Sequence, residues 1–312
     1  MRSRTKEMVD RRLTRRDFVA TAVAGAAAAG LSRRSANAAR EKEGPQVCVF
    51  SKHLQFLDYP ALAKTCRELG LDGTDLTVRG GGHVLPENVA QDLPAAVEAL
   101  QGEGIATPMI TTRLQRADDP DARPILEAAS KLGIRYFRVG GHKYRVTKPI
   151  LPQLAQVTEA LRDLAALAAE YGMTAGYHNH SGMGNVGAPL WDLHRAYEAV
   201  GSPHLGANFD VGHATVEGAY GAWQITAQLL APHVKMVAVK DFVFEGRKPR
   251  WVPLGEGVVE TAAMLKIFRK AGFAGPISVH IEYHTASDDA MIEQVRASAK
   301  TLRACMKEAG YR

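Results

Sequence analysis

The chain has 312 residues, with 39 lysines and arginines against 33 aspartates and glutamates, and a formal net charge of +6. Residues 1–38 hold nine of the basic residues and three of the acidic ones, so the remainder is formally neutral. A neutral body gives no reason to expect nucleic acid as a partner, since that association depends on clustered positive charge.

The first predicted element is an export signal. Arg15 and Arg16 form a twin-arginine pattern, an Ala/Gly-rich apolar run follows, and Ala36 and Ala38 are the small residues that a signal peptidase reads. The sequence therefore predicts a signal peptide over residues 1–38, a linker over 39–45 and a periplasmic or secreted protein. Because the apolar run is too short to span a bilayer, no membrane span is expected in the mature chain.

From residue 46 to the end, short β-branched runs alternate with amphipathic helical runs. The predicted strands cover residues 47–50, 73–78, 106–112, 136–140, 174–179, 205–210, 234–240 and 276–282. The predicted helices cover residues 59–69, 89–104, 122–132, 151–171, 190–200, 222–230, 259–271 and 288–309. This alternation predicts a single α/β domain, a (β/α)8 TIM barrel over residues 46–312. An open doubly wound sheet is disfavoured because no Gly-x-Gly-x-x-Gly turn follows the first strand.

Polar side chains recur where the later strands end, on the barrel face that carries active sites in this fold. The fifth strand ends in His178 and His180, the sixth in Asp210, the seventh in Lys240 and the eighth in Glu282. The period of two along a strand places His178 and His180 on one face. A mixed His/Asp/Glu set predicts a divalent metal (Mn²⁺, Zn²⁺, Co²⁺ or Mg²⁺). Its predicted ligands are His178, His180, Asp210 and Glu282.

Purely structural interpretations compete with this one. Asp210 and Glu282 suit buried carboxylates paired with a neighbouring His or Lys, and Lys240 with Asp241 suits a salt bridge at a strand end. Other polar or aromatic residues follow strands one, two, four, six and seven and are candidates for substrate contact. These candidates are His53, His83, His142, His213 and Trp251.

Four motifs at these strand ends resemble one family. They are Tyr177-His178-Asn179-His180, Asn208-Phe209-Asp210-Val211-Gly212-His213, Val239-Lys240-Asp241 and Ile281-Glu282. In this order they are similar to the sugar phosphate isomerase/epimerase family of xylose isomerase-like TIM barrels. The resemblance implies one divalent ion held by Glu, Asp, His and Glu from strands five to eight, with the two glutamates as the acid/base pair. By position it implies Asp210 as a ligand, Glu282 as the last glutamate and His213 as a substrate contact.

Two positions depart from the family pattern. His178 stands where the family has the first glutamate, and Ala238 stands where strand seven supplies histidine, with Lys240 further along the strand. The symmetric two-glutamate shuttle is therefore lost. Lys240 adds a positive charge that would disfavour a divalent ion or bind an anionic or enolate oxygen instead.

These residues predict a carbohydrate isomerase or epimerase that abstracts a proton next to a carbonyl. Glu282, His178 and Lys240 are the predicted catalytic residues. A lyase or dehydratase acting on a keto-sugar or inosose by β-elimination is a second interpretation, and a non-catalytic periplasmic sugar-binding barrel is a third. The partner is a small-molecule carbohydrate, expected to be neutral because no Arg/Lys cluster follows strands seven and eight. Oligomerisation stays open.

Overall fold

The computed structural model describes residues 44–311, so the predicted signal peptide and most of the predicted linker lie outside the described residues. Eight parallel strands close into a barrel, which confirms the predicted (β/α)8 fold. The barrel strands are β1 (Val47–Phe50), β2 (Gly73–Thr77), β3 (Ala106–Thr111), β4 (Tyr136–Val139), β5 (Thr174–His178), β6 (Leu205–Asp210), β7 (Val234–Val239) and β10 (Ile277–Val279). Around the barrel they follow the order β1-β10-β7-β6-β5-β4-β3-β2.

Helices connect the strands and cover the barrel. They are α1 (Tyr59–Glu68), α2 (Val89–Gly102), α3 (Ala122–Lys131), α4 (Ile150–Glu170), α5 (Trp191–Val200), α6 (Val211–Glu217), α7 (Ala222–Leu230), α8 (Thr261–Lys270) and α9 (Asp288–Ala309). Each long helix buries one apolar stripe; in α4 it includes Leu154, Leu161 and Leu164. Within the described residues, no helix combines the length and the apolar character needed to cross a membrane.

Side chains cap the helix that begins at the barrel mouth, α6, and the C-terminal helix, α9. The Asp210 carboxylate accepts a hydrogen bond from the His213 amide at the start of α6, and the Ser287 hydroxyl accepts one from the Ala290 amide at the start of α9. The first cap turns the chain sharply after β6. It therefore holds His213 directly above the end of that strand.

The structure adds two elements that the sequence patterns did not predict. A β-hairpin, formed by β8 (Asp241–Glu245) and β9 (Lys248–Val252), follows the seventh barrel strand. The short helix α6 follows β6 without a loop, because Asp210 both ends the strand and caps the helix. Charged and apolar residues mix in the hairpin sequence, so neither a period of two nor a helical period is clear there.

Six of the eight barrel strands end one to three residues earlier than predicted, and after the fifth and eighth strands side chains replace the ladder hydrogen bonds. After β5, the Asn179 side chain bonds the backbone of Asp210 through both its amide atoms. After β10, the Ile281 amide donates to Nε2 of His53 rather than to a neighbouring strand. These side-chain hydrogen bonds hold loop residues from distant parts of the chain at the barrel mouth, which is the end at which the strands finish.

Candidate active site

Asp210 lies at the centre of the barrel mouth and is fully buried. Its Oδ1 accepts the His213 amide at 2.8 Å, while Oδ2 lies 3.1 Å from the Lys240 ammonium and 3.3 Å from Nε2 of His178. Burial alone would raise the pKa of Asp210, but Lys240, His213 and His178 hold it well below its usual range. Asp210 is therefore an anion whose charge is neutralised inside the protein.

Lys240 is buried and connects Asp210 to His213 and, through His213, to Ser181 in the loop after β5. Its Nζ lies 2.8 Å from Nε2 of His213, whose Nδ1 lies 2.8 Å from the Ser181 hydroxyl. Since an ammonium has only donors, His213 accepts at Nε2 and carries its proton on Nδ1. Burial lowers the pKa of His213 to about 2, so this ring stays neutral.

Trp251, on the unpredicted hairpin strand β9, closes this side of the mouth. The Lys240 ammonium lies 4.6 Å from the centroid of the Trp251 ring, within range of a cation–π contact. The rings of His213 and Trp251 meet edge to face at 5.1 Å. Asp241, at the start of the hairpin, does not pair with Lys240. Its carboxylate accepts backbone N–H groups of Phe242, Gly255, Gly257 and Val259 and so anchors the following loop.

A stack of rings forms the floor beside Asp210. His280 packs between His178, at 5.7 Å between centroids, and Phe50, at 4.6 Å. Burial, aided by repulsion from Arg138, lowers the pKa of His178 to about 3. Burial likewise lowers the pKa of His53, which accepts the Ile281 amide, to about 3. These imidazoles are neutral bases or ligands at physiological pH.

Glu282 stands at the rim above this floor. Its Oε1 lies 3.7 Å from the Lys240 ammonium and 4.0 Å from Nδ1 of His280. About a third of the side chain is open to solvent, 30%, whereas the Asp210 side chain is fully covered. Glu282 is therefore the accessible carboxylate of this cluster and the one placed to meet an incoming substrate.

Arginines occupy the other side of the mouth, at the ends of β2, β3 and β4. Arg79 and Arg138 lie over the ring of Phe50, with Cζ 5.3 Å and 5.9 Å from its centroid. Arg113 joins them along a cavity of about 370 Å³. Asp75, beneath them, accepts the hydroxyls of Thr111 and Ser278. Burial raises the pKa of Asp75 to about 6, against the lowering effect of these hydroxyls and of the arginines.

Comparison with known proteins places the chain in a family. Residues 63–305 match the family described as xylose isomerase-like TIM barrel. The chain belongs to that family. No curated protein matches the sequence.

Solved structures of the xylose isomerase-like fold resemble this barrel closely in shape and distantly in sequence. The IOLI protein with a bound zinc atom has a TM-score of 0.71 at 15% identity, covering 86% of this chain and 99% of that one. A probable 3-DHS dehydratase, AsbF, from Bacillus anthracis has a TM-score of 0.66 at 17% identity, covering 83% and 98%. D-psicose 3-epimerase from Clostridium cellulolyticum H10 has a TM-score of 0.66 at 11% identity, covering 84% and 99%. At these identities the likeness shows the fold alone.

The structure brings most of the predicted site residues of this family member together. His178, Asp210, His213, Lys240, Trp251 and Glu282 meet within the contacts described above, and His53 joins them through Ile281. His180 lies at the edge of the group. It is exposed, its Nδ1 contacts the Ser181 carbonyl, and its ring lies 3.8 Å from that of His213.

Two predicted substrate contacts lie elsewhere on the mouth. His83 packs on the loop after β2, with its ring near the Thr77 hydroxyl and its carbonyl bonded to Tyr59. His142 stacks on Tyr177 and lines a cavity of about 750 Å³. This cavity adjoins the one lined by the arginines, because Gln115 and Gly141 line both. Among the described residues, neither of these histidines contacts the cluster around Asp210.

Sequence reasoning missed His280 and the arginines as site residues. His280 and Glu282 share a strand face by the period of two, which was a usable signal. Arg138 was recognisable as an inward-pointing residue in β4. Arg79 and Arg113 lie in loops, and loop residues carry no periodicity that would show where they point.

The donor set fits a divalent metal. His178, Asp210 and His280 are buried, and one ligand atom from each lies within 4.8 Å of the other two. Nδ1 of His178, Nε2 of His280 and both amide atoms of Asn208 are buried without a hydrogen bond. Two imidazoles and one carboxylate suit zinc or another borderline ion. His180 and Glu282, which were also predicted as ligands, lie outside this group of three, and the Lys240 ammonium competes for the Asp210 oxygen.

Proposed function

We propose that the protein is a carbohydrate-acting enzyme of the sugar isomerase/epimerase type, which removes a proton next to a carbonyl group. One observation carries the proposal. Lys240, a buried ammonium at the barrel mouth, lies within 4 Å of Asp210, Glu282 and His213. A cation held beside an accessible carboxylate is the arrangement that proton abstraction to an enolate requires.

In this mechanism Glu282 accepts the proton from the substrate carbon, because it is the accessible carboxylate. Lys240 donates to the oxygen on which negative charge develops. His213 is held neutral by burial, and its bonds to Lys240 and Ser181 fix the direction of the Lys240 ammonium. Trp251 covers the ammonium and excludes water from its far side.

A divalent ion, when bound by His178, Asp210 and His280, would polarise the substrate carbonyl as a Lewis acid. The similar IOLI structure contains zinc, which supports testing that ion first. Lys240 and the ion would act on the same developing charge. The chain's own residues therefore provide one electrostatic contribution that remains when the metal is removed.

A lyase is the second candidate, and a specific substitution favours it. His178 stands where the resemblance expects a glutamate, so Glu282 is left as the single accessible carboxylate base of the cluster. One base suits β-elimination from a keto-sugar or inosose. Glu282 would take the proton and pass it to the hydroxyl that departs as water, while the C–H and C–O bonds are replaced by a C=C bond. The fold is shared with a probable dehydratase and with an epimerase, so the scaffold is compatible with both reactions.

The test is proton exchange in D₂O, followed by NMR on ketoses and on a keto-inositol, with Zn²⁺, Mn²⁺, Co²⁺ or Mg²⁺ supplied. We expect exchange by the native protein and a fall of about 10²–10⁴-fold in Glu282→Gln. Exposed Glu293→Gln, in α9, is the matched control. Exchange with loss of water from the substrate would identify the lyase. If the protein binds the sugars but exchanges no proton with any of the metals, the result would instead support a non-catalytic sugar-binding barrel.

Export of the mature domain through the signal peptide over residues 1–38 is part of the same proposal, supported by the Arg15-Arg16 pattern. It places the substrate outside the cytoplasm. The mass of the secreted chain checks it, since cleavage after Ala38 leaves a defined N-terminus.

A further inference from the structure

The arginine cavity is a charged feature of the mouth that the proposed reaction does not explain. It lies at the carboxyl ends of β2–β4, has a volume of about 370 Å³ and is lined in part by Arg79, Arg113 and Arg138, with Thr112 and Gln115. Nothing in the proton-abstraction chemistry around Asp210 uses these guanidinium groups. Three arginines on one small cavity therefore need an independent explanation.

Within the described residues, no carboxylate oxygen lies within 4.0 Å of any of the three guanidinium groups. Asp75 and Glu282 attract Arg79 and Arg138 from longer range, and the two Asp75 oxygens accept the hydroxyls of Thr111 at 2.7 Å and Ser278 at 3.1 Å. Asp75 neutralises at most one of the three cations. The N–H donors of the arginines are left facing the cavity.

Holding these cations together is unfavourable without an anion. Burial lowers the pKa of Arg79, and repulsion from Arg138 and Arg113 lowers it further. Arg79 and Arg138 also share one aromatic partner, the Phe50 ring, which holds both guanidinium groups toward the same space. The arginines are therefore already in position to bind an anion in the unliganded protein.

The cavity also lies close to the reaction site. The Phe50 ring that carries the two arginines stacks on His280, at 4.6 Å, and His280 in turn stacks on His178. One layer of rings separates the arginines from the Asp210 cluster. A side chain at Gly140 would meet the Arg113 carbonyl at 2.5 Å, so the glycine allows the β4 loop to close the outer wall.

We propose that the arginine cavity binds an oxyanion on the substrate, and that the substrate is a sugar acid whose carboxylate lies on Arg79, Arg113 and Arg138 while its carbonyl end faces Lys240. The inference rests on the proposed function. Guanidinium groups bind carboxylates through paired N–H donors, which matches unpartnered arginines around a small cavity. It replaces the neutral sugar expected from the sequence.

Charge balance favours a carboxylate over a phosphate ester. The ionised groups that face one another across the mouth are four cations, Arg79, Arg113, Arg138 and Lys240, and three carboxylates, Asp75, Asp210 and Glu282. In the metal-free protein the excess is a single positive charge. A monoanionic carboxylate neutralises it, whereas a phosphate ester carries close to two negative charges at neutral pH.

The test compares three probes on one pyranose skeleton by calorimetry, namely glucuronate, glucose 6-phosphate and glucose. We expect the native protein to bind glucuronate about tenfold or more tightly than glucose, since hydrogen bonds between charged groups discriminate at that level. Arg79→Gln/Arg113→Gln should remove the preference. Arg138 is kept, because its loss would leave Asp75 buried without that cation. Arg123→Gln, which removes an exposed ion pair with Glu170, is the matched control and should keep the preference.

Equal binding of glucuronate and glucose, or a preference that survives the double variant, would overturn the inference. Tighter binding of glucose 6-phosphate than glucuronate would overturn the carboxylate assignment. If none of the three sugars binds, the thermal midpoint in acetate against chloride at equal ionic strength decides. Acetate should stabilise the native protein more than the double variant, and an equal effect would overturn the cavity as an anion site. These are equilibrium measurements, so they can succeed or fail whatever the proton-exchange assay shows.

Discussion

The two halves of the barrel mouth handle charge in opposite ways. Around Asp210 and Lys240, cation and anion lie 3.1 Å apart, and every neighbouring imidazole is kept neutral by burial. Around Arg79 and Arg113, positive charges line a cavity with no carboxylate of the described residues within ion-pair distance. In the two proposals above, the first half moves the proton and the second half recognises an anion on the substrate.

The largest effect is expected from removing Lys240, the cation in the half of the mouth around Asp210. Lys240→Met should lower proton exchange by about 10²–10³-fold, the cost of losing one donor to a developing oxyanion. The preference for an anionic probe should remain, because the arginines are untouched. Arg113→Gln should instead weaken anion binding while exchange on a neutral ketose is retained. Native exchange rates in Lys240→Met, with folding verified by circular dichroism, would make the lysine structural.

A second experiment determines which histidines around Asp210 bind the metal. His280→Gln should weaken zinc binding by more than the roughly 10–100-fold that loss of an outer-shell partner costs. His180→Gln should retain it, because His180 lies with His213 at the edge. Zinc titration with a fluorescent competitor measures both.

The zinc titration needs a control, because a second group of residues could also bind zinc. His194 and Glu198 in α5, with His233 before β7, also bring ligand atoms within 4.8 Å of one another, at the opposite end of the barrel. His194→Gln should leave the tight zinc equivalent unchanged. Loss of zinc in His180→Gln with retention in His280→Gln would restore the ligand set predicted from sequence.

The smallest expected effect concerns the border between the halves, where His53 meets the Phe50 ring at 5.5 Å. Burial lowers the pKa of His53 to about 3, with repulsion from Lys52 and Lys240 adding to it. A histidine that is neutral when folded stabilises the protein above its unfolded pKa, near 6.5, and loses that contribution as pH falls toward 3. The free energy of unfolding should therefore decrease on acidification within this window.

His53→Gln isolates that contribution. Its unfolding free energy should depend on pH less steeply than that of the native protein, by about 1.4 kcal/mol per pH unit for one proton. Urea unfolding between pH 6.5 and pH 4 measures the slope, and exposed His284→Gln is the control that should leave it unchanged. A native slope in His53→Gln would show that the ring is already charged in the folded state.

Much of this architecture is encoded in short-range sequence pattern. Alternating β-branched and amphipathic runs predicted the closed barrel, and polar residues at strand ends predicted that Asp210, Lys240 and Glu282 meet. The hairpin carrying Trp251 was missed, although Trp251 itself was predicted as a site residue. Its strands pair only with each other, so no barrel periodicity marks them.

What the sequence determined by itself is the order of the strands and the residue type at each strand end, because backbone propensity and burial periodicity act over a few residues. What only the tertiary structure decided is which of those ends face one another. Closing the ring pairs β1 with β10 and places the Phe50 ring between His280 and two arginines from strands far apart in the chain. Coulomb interactions and burial act through space rather than along the chain. The neutral histidines around Asp210 and the charged cavity opposite them therefore exist only in the folded barrel.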